Sequence, residues 1–329
     1  MHPMRRSHFL SCLLAGCALA ASAAPVAAQT AVFPDRPLKL VIPFAAGGAT
    51  DVLGRMLAVA LGEKLGQPMV VENKPGAGTI LAASQVAKAA PDGYTLLLAA
   101  STTLTLNPAM REQLSYDPVR SFTPLGIVAD MPLLLVGTPT GPSTLQELVA
   151  QSKAEPERFS YGSFGSGSSG HFGGEMLKTA SGAKLMHVPF SGSAPSLNAL
   201  MGAQVQIAVD TVVASTPLIK AGRIKPLAVL SAQRLQLLPQ VPTVAESGYS
   251  GFDMGTWFAL MAPAGLPPQT RATLEKALAD VSATPAIQQK MKSLGLVPAP
   301  GDGAAVSARV ERELPQMRAV AARSGIKAD

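Results

Sequence analysis

The chain has 329 residues, 47% of them hydrophobic and 15% charged, with a formal net charge of +6. Its lysines and arginines are scattered singly, without a run or a basic patch interleaved with aromatics, which argues against nucleic-acid binding. Both cysteines, Cys12 and Cys17, fall in the first thirty residues, so a chain processed beyond them has no disulfide and no Cys-ligated metal.

Those first residues read as an export signal. Arg5 and Arg6 form a positive start, Phe9 to Ala23 is apolar, and small residues follow to Val26-Ala27-Ala28, which predicts cleavage after Ala28 and a signal segment over 1–28. Leu14-Ala15-Gly16-Cys17 offers an alternative, a lipoprotein box in which Cys17 is lipidated and anchors the protein. Either route places the protein in the periplasm or on its membrane face. No later stretch reaches the roughly 18 uninterrupted apolar residues of a membrane helix. Ile127 to Gly137 comes nearest, and Asp130 and Pro132 interrupt it.

Past the signal, short apolar runs alternate with helical patterns. Leu38 to Ile42 reads as a strand, followed by Gly47-Gly48 and a helix from Thr50 to Leu65. Met69 to Val71 and Tyr94 to Ala99 are the next strands, with a helix to about Ala89 between them. Continuous apolar strands between amphipathic helices imply a parallel sheet covered on both faces. The rhythm restarts with Leu133 to Val136, a helix over Thr144–Lys153 with Ser143 as N-cap, and a strand at Phe159-Ser160-Tyr161. Lys184–Val188, Val205–Val209 and Leu227–Ser231 follow as strands, then apolar Thr256 to Met261. The remainder to Ile326 reads as helix punctuated by prolines. Two sheets in one chain predict two lobes, 29–130 plus 253–329 and 131–252, with crossings near Ala129–Pro132 and Phe252–Trp257.

Two loops carry the chemistry. Pro43-Phe44-Ala45-Ala46-Gly47-Gly48-Ala49-Thr50-Asp51 follows a strand and opens a helix, where α/β sheets bind ligands and helix N–H groups attract anions. The plainer alternative is a tight turn with Asp51 capping the helix. Tyr161 to His171 has the same placement in the second half, and its hydroxyls and N–H groups suit an oxyanion without any arginine. Gly165 to Gly170 also spells G-x-G-x-x-G, but the acidic residue a dinucleotide needs is missing where the next strand ends in His187-Val188-Pro189-Phe190-Ser191. Two S-x-x-K matches, at Ser181 and Ser324, lack the companion motifs of penicillin-binding enzymes. His171 and His187 are too few for a His-based metal site, and read as helix-start packing and a satisfied strand end. Asp210 ends an apolar run before a helix, at the expected cleft edge or as that helix's N-cap. No cofactor, metal or catalytic residue is expected.

Taken in order, these segments resemble the Bug-type extracytoplasmic solute receptors of tripartite tricarboxylate transporters. The resemblance is carried by Phe33-Pro34-Asp35-Arg36-Pro37, Val41 to Asp51, Val70 to Gly78, Ala90 to Leu97, Asn107-Pro108, Tyr116-Asp117-Pro118 and the loop through His171. It continues through His187 to Phe190, Gly192 to Pro195, Gly222, Pro239 to Glu246 and Trp257 to Gly265. It implies a periplasmic-binding-protein type II fold, two lobes each with a central sheet flanked by helices, closing on a small mono- or dicarboxylate as a monomer for a membrane transporter. It further implies a first-lobe clamp of Phe44, Ala46, Gly47 and Gly48 bordered by Ser101 and Thr102, and a second-lobe grip of Ser163, Gly165 and Ser168, with Phe190 and Asp210 lining the cleft. The family often has Pro at Ala46, Gly at Ala49, a small polar residue at Phe164 and a basic one at Ser191. The last two departures favour a ligand with an aromatic or longer apolar body. Alternatives are a ligand-sensing adaptor for a membrane sensor kinase and an exported serine hydrolase using Ser181 or Ser163.

Overall fold

A computed structural model describes residues 33–326; the export segment and Cys17 lie outside the described residues. In chain order the elements are β1 (Leu38–Ile42), α1 (Ala49–Leu65), β2 (Met69–Asn73), α2 (Ile80–Ala87), β3 (Thr95–Ala100), α3 (Asn107–Met110) and β4 (Phe122–Gly137). Then come α4 (Leu145–Ala154), β5 (Ser160–Ser163), α5 (Ser169–Ser181), β6 (Met186–Pro189), α6 (Ser193–Met201), β7 (Ile207–Thr211), α7 (Val212–Lys220) and β8 (Lys225–Val229). β9 (Gly255–Pro263), α8 (Pro268–Ala283), α9 (Pro285–Ser293), β10 (Val297–Asp302) and α10 (Gly303–Ser324) complete the chain.

The strands lie in the order β2-β1-β3-β9-β4-β7-β5-β6, with β10 and β8 also paired to β4. Sixteen-residue β4 is common to two sheets. Its first part, Phe122–Pro132, pairs with β9 and also takes β10; its second part, Leu133–Gly137, pairs with β7 and takes β8. The change of partner falls at Pro132, which has no N–H to give a ladder. The three-strand runs β2-β1-β3 and β7-β5-β6 are parallel, as the apolar runs imply, whereas β9, β4 and β10 pair antiparallel.

Long-range pairing revises several local readings. The stretch around Pro298 and Pro300 is not helix but β10, a strand on the outer side of β4, where proline is tolerated. α4 is capped by Thr144, whose hydroxyl accepts the Glu147 N–H, while the Glu147 carboxylate reaches back past the cap to accept the Ser143 N–H. α7 is capped by Thr211 and not by Asp210.

Two apolar cores flank the crossing. Val41, Leu97, Ala99, Trp257 and Val306 belong to one; Leu133, Tyr161, Phe172, Val209 and Leu230 to another. α10 straddles them, placing Val306 and Val310 in the first and Met317, Val320 and Ala321 in the second. Between those two stretches it is pinned to the crossing. Arg309 donates to Asp130 on β4 at 2.6 Å and to Glu313 at 2.7 Å, and lies over the Trp257 ring at 4.8 Å. The Trp257 indole N–H completes the cluster on Glu313 at 2.6 Å. Asp130 and Trp257 are themselves register partners.

Gly126 marks a close approach of backbone to backbone at this seam. A Cβ there would stand 2.6 Å from the Gly301 carbonyl oxygen of β10, and a ladder cannot yield as a side chain can. Gly126→Ala is expected to destabilise the fold by about 1–3 kcal/mol, read as a lower urea midpoint at unchanged m-value.

Candidate functional site

The register fixes where the loops meet. β3 ends at Ala100 opposite Phe258, and Phe258 pairs with Ala129 of β4. β7 ends at Thr211 opposite Leu133. The C-terminal ends of β1, β2 and β3 on one side, and of β5, β6 and β7 on the other, therefore arrive at the same short stretch of β4 from opposite directions. That is where strand-to-helix loops collect ligands in parallel sheets.

On the first side, Phe44 is half-buried while Ala46, Gly47 and Gly48 are exposed. Gly47 adopts φ +84, and α1 starts at Ala49 with no side-chain cap from Gly48. The loop is braced from behind. Asp51 accepts the Gly47 N–H at 2.9 Å, the Arg55 guanidinium at 3.0 Å and the Asn73 amide at 2.9 Å. Asn73 also donates to the Phe44 carbonyl at 3.1 Å and accepts from Arg55 at 3.0 Å. Burial pushes the Asp51 carboxyl up, but the bonds from Arg55, Gly47 and Asn73 outweigh it and hold it below the usual carboxylate range. Asp51 thus caps backward onto the loop from the third helical position.

Neighbouring loops of the first lobe are also tied inward. Ala77 and Thr79 both carry positive φ, strained for residues with a Cβ. Asn107 holds this turn through the Gly78 carbonyl at 2.6 Å and the Thr79 hydroxyl at 3.2 Å. Ser101 and Thr102 are buried; the Ser101 hydroxyl bonds to Thr256 of β9 at 2.8 Å, and Thr102 begins a single π turn.

On the second side the chain gathers Ser163, Gly165, Ser168 and Phe190. Ser168 caps α5 at the His171 N–H and donates to the Gly165 carbonyl at 2.6 Å. The Phe190 N–H donates to the Ser163 carbonyl at 3.0 Å, and its ring packs against Gly162, 3.2 Å from where a Cβ would stand. Ser163 is fully buried, its hydroxyl 2.7 Å from His187 Nε2. Met110 of α3 occupies the space beside Gly167, so this loop abuts the first lobe directly.

The Ser163–His187 contact has the spacing of a nucleophile and its base. Burial, His171 and Lys178 push the His187 pKa down to about 3, too low to take a proton near neutrality. Ser181, the other candidate hydroxyl, is spent on the Leu177 carbonyl at 2.7 Å.

Asp210 is fully buried beside the second loop. Its Oδ1 accepts the Ser193 hydroxyl at 2.6 Å and the Thr211 N–H at 2.7 Å, while Oδ2 has no hydrogen-bond partner among the described residues. Burial raises its pKa to about 6 against those bonds. The bracing residues Arg55, Asn73, Ser193 and Thr256 were absent from the sequence-derived set; of these only Asn73, at the C-terminal end of a parallel strand, carries a positional signal. Two surface cavities lie apart from both loops, about 390 Å³ beside Tyr249 and Arg323 and about 860 Å³ beside Arg111 and Arg318.

The chain is similar to known proteins over most of its length. A family model described as the tripartite tricarboxylate transporter family receptor matches residues 53–324. Protein BugT of Bordetella pertussis is 36% identical over 283 residues, covering 85% of this chain and 86% of its own. A Rhodopseudomonas palustris protein solved with adipate superposes with a TM-score of 0.85 at 35% identity, over 90% of this chain and 99% of that one. MatC of the same organism, solved with bound malate, gives 0.79 at 32% identity over 88% and 99%.

Two buried titratable groups of the second half, on β6 and β7, predict opposite pH responses. Asp210 is raised from 3.8 to about 6, so its contribution is full below the lower value and lost as pH rises through the higher. Asp210→Asn, which keeps the Oδ1 acceptor, is expected to be more stable than the parent near pH 8, by on the order of 1–3 kcal/mol, with the gap closing near pH 4. His187 is lowered from 6.5 to about 3, so its contribution is full above the higher value and lost on acidification. His187→Gln is expected to flatten the acid side of the same urea-unfolding profile.

Proposed function

Given that this chain belongs to the tripartite tricarboxylate transporter receptor family, we propose that it captures a small carboxylate between its two lobes and delivers it to the membrane subunits of such a transporter. The family is one of solute-binding receptors rather than enzymes, with the two-lobed α/β fold of type II periplasmic binding proteins. The two lobes of this reading are residues 29–130 with 253–329, and 131–252. Export through the segment over 1–28, with lipidation at Cys17 as the other route, places the receptor in the periplasm.

The observation that carries this reading is the convergence of two glycine-rich strand-to-helix loops on one stretch of β4, each braced from behind. A carboxylate leaving water needs several N–H or O–H donors in its place. The loops at Phe44–Gly48 and Gly165–Ser168 lead into the starts of α1 and α5, where helix N–H groups favour an anion. Phe44, Gly47 and Gly48 face the ligand from one side with Ala46, and Ser101 and Thr102 set the floor beside them. Ser163, Gly165 and Ser168 face it from the other side, with Phe190 and buried Asp210 shaping the wall.

Related structures hold adipate and malate, and a carboxylate is the shared chemistry. Between those two, the wall favours the longer apolar chain. Phe164, half-buried, lies with its ring against Gly170 at the start of α5, and exposed Ser191 follows Phe190. Neither brings a cation to the cleft, and the phenylalanines give an apolar body somewhere to rest.

A thermal-shift panel of aliphatic and aromatic mono- and dicarboxylates tests the reading, since a ligand of the folded state raises the melting temperature by mass action. A shift for at least one carboxylate is expected, larger for adipate or an aromatic acid than for malate; a panel in which only malate and succinate bind overturns the apolar-body assignment. No shift for any carboxylate overturns the receptor function. Asn73→Ala, which removes the braces on Phe44 and Asp51 without touching the ligand, is expected to weaken binding about tenfold in calorimetry.

A further inference from the structure

The second-lobe loop is backed by a device that the receptor function does not itself require. The imidazoles of His171 on α5 and His187 on β6 are stacked, centroids 3.8 Å apart and planes within 9°. The Tyr161 ring lies 4.8 Å from His187 on the same side. Each histidine holds one part of the loop. His187 Nε2 meets the Ser163 hydroxyl at 2.7 Å, and His171 Nδ1 accepts the Gly167 N–H at 3.1 Å.

The second bond decides a protonation state. Because Nδ1 of His171 is an acceptor, its neutral ring carries the proton on Nε2. A further proton would put hydrogen on Nδ1, facing the Gly167 N–H, and donor would meet donor. Gly167, at φ +70, has Met110 of α3 packed against it and cannot simply turn away. Losing this bond therefore reorders the segment from Gly165 to Ser168, including the cap of α5.

The surroundings oppose charge on the stack. Glu175 is the one carboxylate of β5, β6 and α5, and it is spent on the Tyr161 hydroxyl at 2.8 Å and the Lys178 ammonium at 2.8 Å. Tyr161 keeps its proton, because burial and Glu175 push its pKa far up. Lys178 adds positive charge, and α10 brings the apolar Met317, Val320 and Ala321 to this side. Asp210 projects from the opposite face of the sheet to Val209, its neighbour in β7, which packs with Tyr161. His187 stays neutral down to about pH 3 through burial, His171 and Lys178. A proton placed on Nδ1 of His171 therefore leaves Ser163 held and releases Gly167.

We infer that His171 and His187 are positioning residues for the anion-binding loop, and that proton uptake by His171 unlatches Gly167 and weakens ligand capture. The inference rests on the receptor reading above and deepens it. The affinity is full while His171 is neutral and falls as pH drops, opposite in sign to what repulsion between an ionised Asp210 and an anion would give.

The test uses adipate as probe and measures Kd by calorimetry from about pH 7.5 to about 5.5, for the parent chain and for His171→Asn. The Asn side-chain oxygen takes the place of Nδ1 as acceptor but gains no proton. The parent is expected to weaken about tenfold more across the range than the variant, whose curve records protonation of the probe itself. Parallel curves for the two proteins overturn the inference. A second arm needs no ligand: the Gly167 amide resonance is expected to titrate in the parent and stay fixed in His171→Asn. A Gly167 amide that ignores pH in the parent also overturns it. If no carboxylate binds at the higher pH, the receptor reading fails, and the amide arm still decides whether the latch exists.

Discussion

Everything in this fold hangs on one strand that belongs to two sheets. β4 gives its first eleven residues to β9 and its last five to β7, and Pro132, unable to donate, sits at the exchange. A strand has two hydrogen-bonding edges, and both are used on each side of that point, by β9 and β10 before it and by β7 and β8 after it. The loops that face each other do so because β3 and β7 run towards this exchange from opposite ends. The facing of the two loops is therefore a consequence of pairing direction.

The two loops are made rigid by different means. On the first side the brace is ionic, with Asp51 below its usual range and Arg55 and Asn73 closing a ring of bonds around it. On the second side it is neutral, an imidazole stack backed by Tyr161 and Glu175. In both, side chains bond inward onto the loop backbone and hold it in place. Donors held in place before the ligand arrives lose little freedom on binding, which is how small loops reach useful affinity. The braces differ in chemistry: the first depends on a carboxylate held below its usual range, the second on imidazole nitrogens bonded to a hydroxyl and an amide.

α10 ties the lobes together on the other side of the crossing. Its Val306 and Val310 serve one core, and Met317, Val320 and Ala321 the other, with Arg309 clamped to Asp130 and Trp257 between them. Partly buried charge networks of this kind set geometry more than they add stability. Any motion that parts the loops has to bend β4 and β9 and shift the end of α10 against α5. Hinge bending and shear would then fall at one place.

Much of this was legible in the residues. Strands buried on both faces show as unbroken apolar runs, so β1, β3 and the end of β4 at Leu133–Val136 announce themselves, and glycine at strand ends marks Gly47-Gly48 and Gly165 as turns that lead into helices. What escaped local reading were features set by partners far along the chain. β10 passed for helix because Pro298 and Pro300 carry no strand signal, and only the free edge of β4 makes a strand of them. Asn73, Ser193 and Thr256 acquire their roles from Phe44, Asp210 and Ser101, none of them a sequence neighbour. His171 and His187, sixteen residues apart, become a stacked pair only when α5 settles on β6. By itself the sequence determined the alternation of strand and helix and the chemistry of the two loops, because burial and turn geometry act over a few residues. The tertiary structure alone decided which loops meet, what braces them and which protons they can hold, because those depend on contacts that close only when the chain has folded.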